Sequence, residues 1–317
     1  MSQFLQLAPM QALTDVPFMN SYHRHFGGFT EMMAPYIMAS NISPIKATKL
    51  QKHFQGLRPE IKLVPQLLSN DAEGFLHFAN ALFDLGYKKV NWNLGCPYPA
   101  VTKKQRGSGL LPYPQKIAAT LEQLCPRLKP ELSVKIRLGY HSNQEIFPII
   151  EVLNRYPVAE TIIHPRTASQ LYGGQADRSF FCSLFPLLKM PVVYNGDIVQ
   201  ANYITGIQEK CPGIKGYMIG RGAFINPFIA QQLQGITIND NEKLERYRNF
   251  YFDLHSFYQE HSNHPTGFLH HMKELWSLFS QSFQKGESYL FALKSINDPE
   301  VFKTTAENIF KTGRLAI

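Results

Sequence analysis

Short strand-like runs recur along the first 225 residues of the chain. They read FLQLAP (4–9), FTEMMAPYI (29–37), KLVPQLLS (62–69), KVNWNLG (89–95), LSVKIRLG (132–139), ETIIHPRT (160–167), PVVYNGDI (191–198) and GYMIGRGA (216–223). Helix-like stretches with apolar residues at three and four spacing lie between most of them. The clearest, residues 71–87, opens on Asp71 as N-cap, repeats Phe75, Phe78, Ala79, Leu82 and Phe83, and has Gly86 near its end. Ser142 caps a second, and Pro114 starts a third at a favoured first-turn position. Strands alternating with helices predict a parallel sheet. Eight such units in about 230 residues fit a closed (β/α)8 barrel, a TIM barrel, better than an open doubly wound sheet. No GxGxxG opens a helix after the first strand, which argues against a dinucleotide-binding domain of the Rossmann type.

The pattern changes after Gly235. From about Asn239 every apolar repeat has helical spacing, through the runs that begin at Asn241, Gly267, Ser288 and Pro299. The chain is therefore expected to divide into a barrel over 1–237 and a small all-helical domain over 238–317.

Composition narrows the class. The chain has 317 residues, of which 44% are hydrophobic, enough for a large core. No apolar run reaches the roughly 20 residues of a membrane span, and the N-terminus lacks a basic and then long apolar signal segment. The four cysteines, Cys96, Cys125, Cys182 and Cys211, form no CxxC pair, so neither zinc nor a disulfide framework is expected. Cys125, Cys182 and Cys211 fall on or near helical runs and are expected to be inert core thiols. A reduced, cytoplasmic protein is the simplest reading. The net charge of +8 is uneven: residues 1–235 carry 23 Lys and Arg against 14 Asp and Glu. A basic barrel favours a polyanionic partner.

In a barrel, chemistry gathers at the C-terminal ends of the strands. Those ends carry Pro9 and Met10, Gln66, Asn93 with Cys96, Lys135 with Arg137, His164 with Arg166, Asn195-Gly196-Asp197, and Gly220-Arg221-Gly222. One buried Lys or His would be unremarkable; polar or backbone-exposing groups at so many strand ends indicate a site. The glycines of the last two loops leave N–H groups open where barrels bind phosphate, and Arg221 can add a charge-assisted bond. A phosphate there, with Lys135, His164, Gln66 and Asn93 at the mouth, suits flavin mononucleotide (FMN). Lys135 suits the N1–C2=O edge of the flavin, whose reduced anion it would stabilise.

The strings APMQALTDVPF, NWNLGCPYPAVTKKQRGSGLL, SVKIRLG, HPRTASQLYGGQAD, NGDI and IGRGAFINPFI, in order from about Leu7 to Phe228, resemble the dihydrouridine synthases. These are FMN enzymes that reduce uridine in tRNA. The GCP block with its downstream RGSGLL is highly specific; NGDI and GRGA are shared with other phosphate-binding barrels. The helical segment, with GFLHHMKELWSLF, is similar to that family's tRNA-recognition domain and most similar to the bacterial C-type subgroup, which suggests the D-loop and position 16 as target. The resemblance implies that Cys96 is the catalytic cysteine. It implies that Pro9, Met10, Gln66, Lys135 and His164 contact FMN, as do Asn195, Gly196, Asp197, Gly220 and Arg221. Asn93 falls between flavin and substrate, and Arg166 is expected on the substrate side. Pro165 stands where the family usually has Gly, and it restricts the backbone there.

The implied reaction moves hydride from reduced FMN to uracil C6 and a proton to C5 from the opposite face, with NADPH or NADH as reductant. A thiol with an ordinary pKa of about 8.5 is mostly protonated near neutral pH and is a suitable acid. Lys103, Lys104 and Arg106 follow Cys96 and read as tRNA phosphate contacts, against a solvated loop as the plainer alternative. The uridine must be turned out of the folded tRNA to reach the flavin. Two competing readings stay open: a small-molecule FMN reductase of the dihydroorotate or dihydropyrimidine dehydrogenase kind, and a flavin-free RNA-binding protein on a degenerate barrel. The basic barrel and appended helices oppose the first; the intact Cys96, Lys135, His164 and Arg221 oppose the second.

Overall fold

The computed structural model describes residues 3–40, 47–262 and 264–317. Its parallel strands close into eight staves. They are Phe4–Leu7, then Glu31–Met33 continued by Ile37–Met38, then Leu63–Val64 continued by Gln66–Leu68. Lys89–Leu94, Glu131–Gly139, Val158–Thr167, Val192–Asn195 and Gly216–Ile219 complete the circuit. The third stave breaks at Pro65, which has no N–H for the ladder; its carbonyl still accepts from the Asn91 N–H at 2.9 Å. The two halves of the second stave pair with the two halves of the third, at Met32–Leu63 and Ile37–Leu67. The first stave pairs with the eighth at Phe4–Gly216 and closes the barrel. The (β/α)8 expectation therefore holds, and each of the eight runs overlaps one stave.

Alternation along the staves fills the interior in layers. The sixth points Glu160, Ile162 and His164 inward, and the fourth Lys89, Asn91 and Asn93. At the N-terminal end the buried Glu160 carboxylate accepts from Gln6 Nε2 at 2.8 Å and pairs with Lys89 at 3.3 Å and with Lys215. Burial alone would raise its pKa; those two ammonium groups and the Gln6 amide outweigh it and hold it below the ordinary range. Above lies an apolar layer of Ala8, Met33, Val64, Ile162, Val193 and Met218. The C-terminal layer is polar again, and that is where a cavity opens.

The expected outer helices form. Ala72–Asp84 follows Asp71 at its N-cap, Pro114–Leu124 starts on its proline, and Ser142 with Glu145 makes a capping box. Pro165 sits inside the sixth strand at a register shift against the fifth, beyond its last rung with the seventh. Its missing N–H therefore breaks no regular ladder bond.

After the barrel come the helices Asp240–His261, Pro265–Phe279, Gly286–Ser295 and Pro299–Thr312. The first packs on the barrel helix Val16–His25, where Phe250 meets Phe18 edge-on at 5.6 Å. Tyr247 donates to the Phe224 carbonyl at 3.1 Å, and Tyr258 to Asp15 at 2.7 Å. These buried contacts fix the helical segment over one side of the barrel mouth. No helix among the described residues is long and apolar enough to cross a membrane. All four cysteines are free; the sulfurs of Cys182 and Cys211 lie 3.0 Å apart, a proximity that their spacing of 29 residues does not disclose.

Candidate active site

A cavity of about 410 Å³ opens at the C-terminal end of the barrel, within the roughly 300–1,000 Å³ usual for small-ligand sites. Its wall includes Pro9, Met10, Gln66, Asn93 and Cys96, then Lys135 and His164, then Asn195, Gly196, Asp197, Gly220 and Arg221. The expected wall residues thus converge from seven of the eight strand ends.

A buried amide chain answers why Asn91 and Asn93 precede the thiol. Ser133 Oγ accepts from Asn91 Nδ2 at 2.9 Å, and Asn91 Oδ1 accepts from Gln66 Nε2 at 2.8 Å. Gln66 Oε1 accepts from Asn93 Nδ2 at 2.7 Å. Asn93 Oδ1 then accepts the Gly95 and Cys96 N–H groups at 3.0 and 2.9 Å. The chain links three staves and ends on the cysteine. From the far side, Ser108 donates its N–H and Oγ–H to the Cys96 carbonyl at 3.0 and 2.8 Å. Gly107 lets that loop approach: its φ is +55°, and a Cβ there would lie 2.8 Å from the Cys96 carbonyl oxygen. RGSGLL and GCP are therefore two halves of one clamp.

The thiol is only 8% exposed. Burial raises its pKa, opposed in part by the Tyr98 N–H, the Tyr36 hydroxyl, and the charges of Arg137 and Lys135. The group is a thiol at neutral pH.

Opposite stand the cations. Burial, then repulsion from Arg137, lowers Lys135 to about 7. Its ammonium has no hydrogen-bond or ion-pair partner among the described residues. Arg137 donates to the carbonyls of Gly95 at 3.1 Å, Thr167 at 2.9 Å and Leu171 at 2.7 Å. It lies 5.5 Å from the Tyr172 ring, and Arg221 lies 4.9 Å from the same ring. His164 Nε2 faces an Arg166 N–H at 3.0 Å. An arginine only donates, so Nε2 accepts and the ring proton sits on Nδ1. Burial and the surrounding cations push His164 well below its ordinary pKa, so it stays neutral.

Asp197 binds both Arg166, at 3.0 and 2.6 Å, and Arg221, at 2.9 Å, and accepts the Ala176 N–H at 2.8 Å. Burial pushes its carboxyl up, but these donors outweigh it and hold it below the ordinary range. Its carboxylate is thus engaged in aiming arginines rather than open to a ligand. Arg166 is 1% exposed and does not line the cavity; the structure places it beneath the floor, bonded to Asp197, His164, Gly173 and Gly174. Lys103, Lys104 and Arg106 also lie off the lining, on the rim loop after the short helix Pro99–Thr102. Lys103 and Lys104 are exposed, and Arg106 donates to Asn70 at 3.1 Å.

Sequence reasoning passed over Tyr36, Tyr98, Tyr172, Glu274 and Gln281, all of which line the cavity. The last two come from the helical segment, and their only sequence signal was the GFLHHMKELWSLFSQS run, whose register on the barrel is a tertiary fact.

Lys135, Arg137 and Arg221 in the wall, with Arg166 beneath it, outnumber the carboxylates of Asp197 and Glu274 and leave a cationic cavity with Lys135 unpartnered among the described residues. That arrangement fits an anionic ligand with a phosphate and an electron-rich ring edge, as FMN has, so the residues present suit the flavin.

The sequence model described as "Dihydrouridine synthase (Dus)" matches residues 6–313. The "tRNA-dihydrouridine synthase B" of Pasteurella multocida (strain Pm70) is 26% identical over 96% of this chain and 92% of that protein. The "tRNA-dihydrouridine(16) synthase" of Neisseria meningitidis serogroup A is 24% identical over 93% of this chain and 91% of that protein. A "Probable tRNA-dihydrouridine synthase" of Rhodobacter capsulatus is 29% identical over 72% and 69%.

Proposed function

The chain belongs to the dihydrouridine synthase family, and from that premise we propose that it reduces uridine to 5,6-dihydrouridine in tRNA with FMN as its cofactor. The observation that carries the reading is one cavity holding a buried, protonated thiol on a clamped corner together with the amino group of Lys135, unpartnered among the described residues.

Bound FMN would supply a hydride to the C6 of the uracil. Gly196, Gly220 and Arg221 would hold its phosphate, with Asp197 fixing the direction of Arg221. Lys135 would sit at the N1–C2=O edge and balance its negative charge. Pro9 and Met10 wall the cavity beside them, and Asn195, which donates to the Met218 carbonyl at 2.8 Å, sets the floor. His164 would offer its single Nδ1–H to a ring acceptor. Gln66 and Asn93 hold the Cys96 corner, and one Nδ2 proton of Asn93 is left for flavin or uracil. Cys96 would give its proton to C5, and its burial keeps that proton in place until the base arrives.

Lys103, Lys104 and Arg106 are read as phosphate contacts for tRNA on the rim. Residues 238–317 are read as the tRNA-recognition domain, supported by Glu274 and Gln281 reaching the cavity. Both B-type and position-16 enzymes are among the relatives; we assign a D-loop uridine, with position 16 the first to examine. NADPH or NADH is the reductant, and the tRNA substrate makes the cytoplasm the site of action.

Single-turnover mixing of reduced protein with unmodified tRNA tests the proposal. The parent should reoxidise its flavin and form dihydrouridine. Cys96→Ala should keep FMN and tRNA binding but slow this step by about 10²–10⁴-fold. Reoxidation by a free unsaturated pyrimidine such as uracil or orotate but not by tRNA would favour the small-molecule reductase, and a colourless protein that binds RNA would favour the flavin-free reading.

A further inference from the structure

Tyr36 ends the bridge between the two halves of the second stave, on the cavity wall beside Cys96. Its ring packs against the small cluster of Leu68, Cys96 and Val101. No feature of the sequence pattern singled it out, since it reads as one more aromatic in an apolar strand. Two circumstances give it a chemical part. Cys96 is almost wholly buried, whereas Tyr36 is partly exposed, so the phenol stands between the sulfur and the outside. The other polar groups facing the sulfur are the Tyr98 N–H and, electrostatically, Lys135, Arg137 and the Tyr98 phenol. Arg137 has its Nε and Nη1 protons on backbone carbonyls and a further side-chain bond to Tyr172, and Lys135 has the flavin edge to serve. Tyr36 is then the one side-chain hydroxyl among the described residues that meets the sulfur.

We propose that Tyr36 is a positioning residue for the acid: its O–H donates a hydrogen bond to the Cys96 sulfur as the thiolate forms, and it lies on the path by which a water proton restores the thiol.

The inference rests on the reading of Cys96 as proton donor. In the step the Cys96 S–H bond breaks, the proton bonds to C5, and the electron pair stays on sulfur. A buried thiolate is costly; the Tyr98 N–H gives it one donor, and a second hydrogen bond that strengthens as charge develops favours the transition state over the ground state. Afterwards a proton from water returns to sulfur, so no further reagent is required. The phenol itself stays protonated, because burial raises its pKa, with the neighbouring Cys96 adding to the effect.

Tyr36→Phe removes only the hydroxyl. A hydrogen bond to a charged group is worth about tenfold, so the Cys96 thiol should become about one pH unit weaker as an acid. Two measurements read this. The first is the pH dependence of Cys96 alkylation by iodoacetamide, followed on the Cys96 peptide by mass spectrometry, with no tRNA present; its midpoint should move up by about one unit. The second is single-turnover oxidation of the reduced protein by tRNA. It should slow roughly three- to tenfold at neutral pH, with its alkaline limb shifted up by the same unit. Full FMN content controls for folding, and Tyr36→Leu should repeat both changes. An unchanged alkylation midpoint with an unchanged limb overturns the inference, even if the rate falls. Failure of the parent protein itself to oxidise with tRNA would instead overturn the functional reading.

Discussion

Asn93 Oδ1 accepts the Cys96 N–H at 2.9 Å. The same oxygen takes the Gly95 N–H, and the Asn93 amide nitrogen is held in turn by Gln66. A buried side chain thus holds the backbone of the acid rather than the acid's sulfur.

Asn93→Ala should therefore damage geometry before it damages cofactor binding. It leaves Gln66 Oε1, the buried Cys96 N–H and the part-buried Gly95 N–H without partners, at about 1–3 kcal/mol for each fully buried group left unsatisfied. Urea unfolding should show a loss of that order, FMN should be retained, and tRNA-driven flavin oxidation should slow. Loss of flavin with unchanged single-turnover rate for the remaining holoprotein would assign Asn93 to the cofactor instead.

Lys135 gives a pH prediction with a definite sign. Its folded value of about 7 lies below the ordinary 10.5. Between those values the unfolded chain holds a proton that the folded, ligand-free chain does not. Stability of the flavin-free protein should therefore rise with pH across that window, the full burial penalty being present below about pH 7. FMN placed beside Lys135 favours the charged form, so binding at pH 8 should take up as much as about one proton. Calorimetry in buffers of different ionisation enthalpy measures this. Lys135→Met should remove most of the uptake, and an unaltered value would move the flavin away from Lys135.

Arg221 is aimed by Asp197 and is partly exposed, at 35% for its side chain. Losing one charge-assisted phosphate contact costs about 1.5–3 kcal/mol, or roughly tenfold to a hundredfold in affinity. Arg221→Ala should release flavin accordingly on dilution, read from the fluorescence of free FMN. Undiminished retention would remove Arg221 from the phosphate site.

Lys103 and Lys104 lie on the rim outside the cavity. Lys103→Glu combined with Lys104→Glu should leave flavin content alone and weaken tRNA binding, most strongly at low salt, because the contacts act through counterion release. Equal affinities of variant and parent at low salt would make the loop merely solvated.

The chain's own pattern determined a good deal. All eight staves, the outer helices at Asp71, Pro114 and Ser142, and the four C-terminal helices follow from periodicity and caps, because those signals act between neighbours in sequence. The strand ends also named half of the cavity wall, since alternation and barrel geometry send such residues to one place. Tertiary structure alone decided what the polar groups are bonded to. Gln66 and Asn93 read as amides at the mouth, yet with Asn91 they form one chain ending on Cys96, because neighbouring strands align Gln66 with Asn91 and Asn91 with Ser133. Arg166 and Asp197 are 31 residues apart and read as two ligand contacts, yet they form an ion pair, with Asp197 in the wall and Arg166 buried beneath the floor. Tyr36, Glu274 and Gln281 carry no local mark at all. Their place at the cavity depends on how a broken strand bends and how a helix docks, and burial energy settles both over the whole molecule.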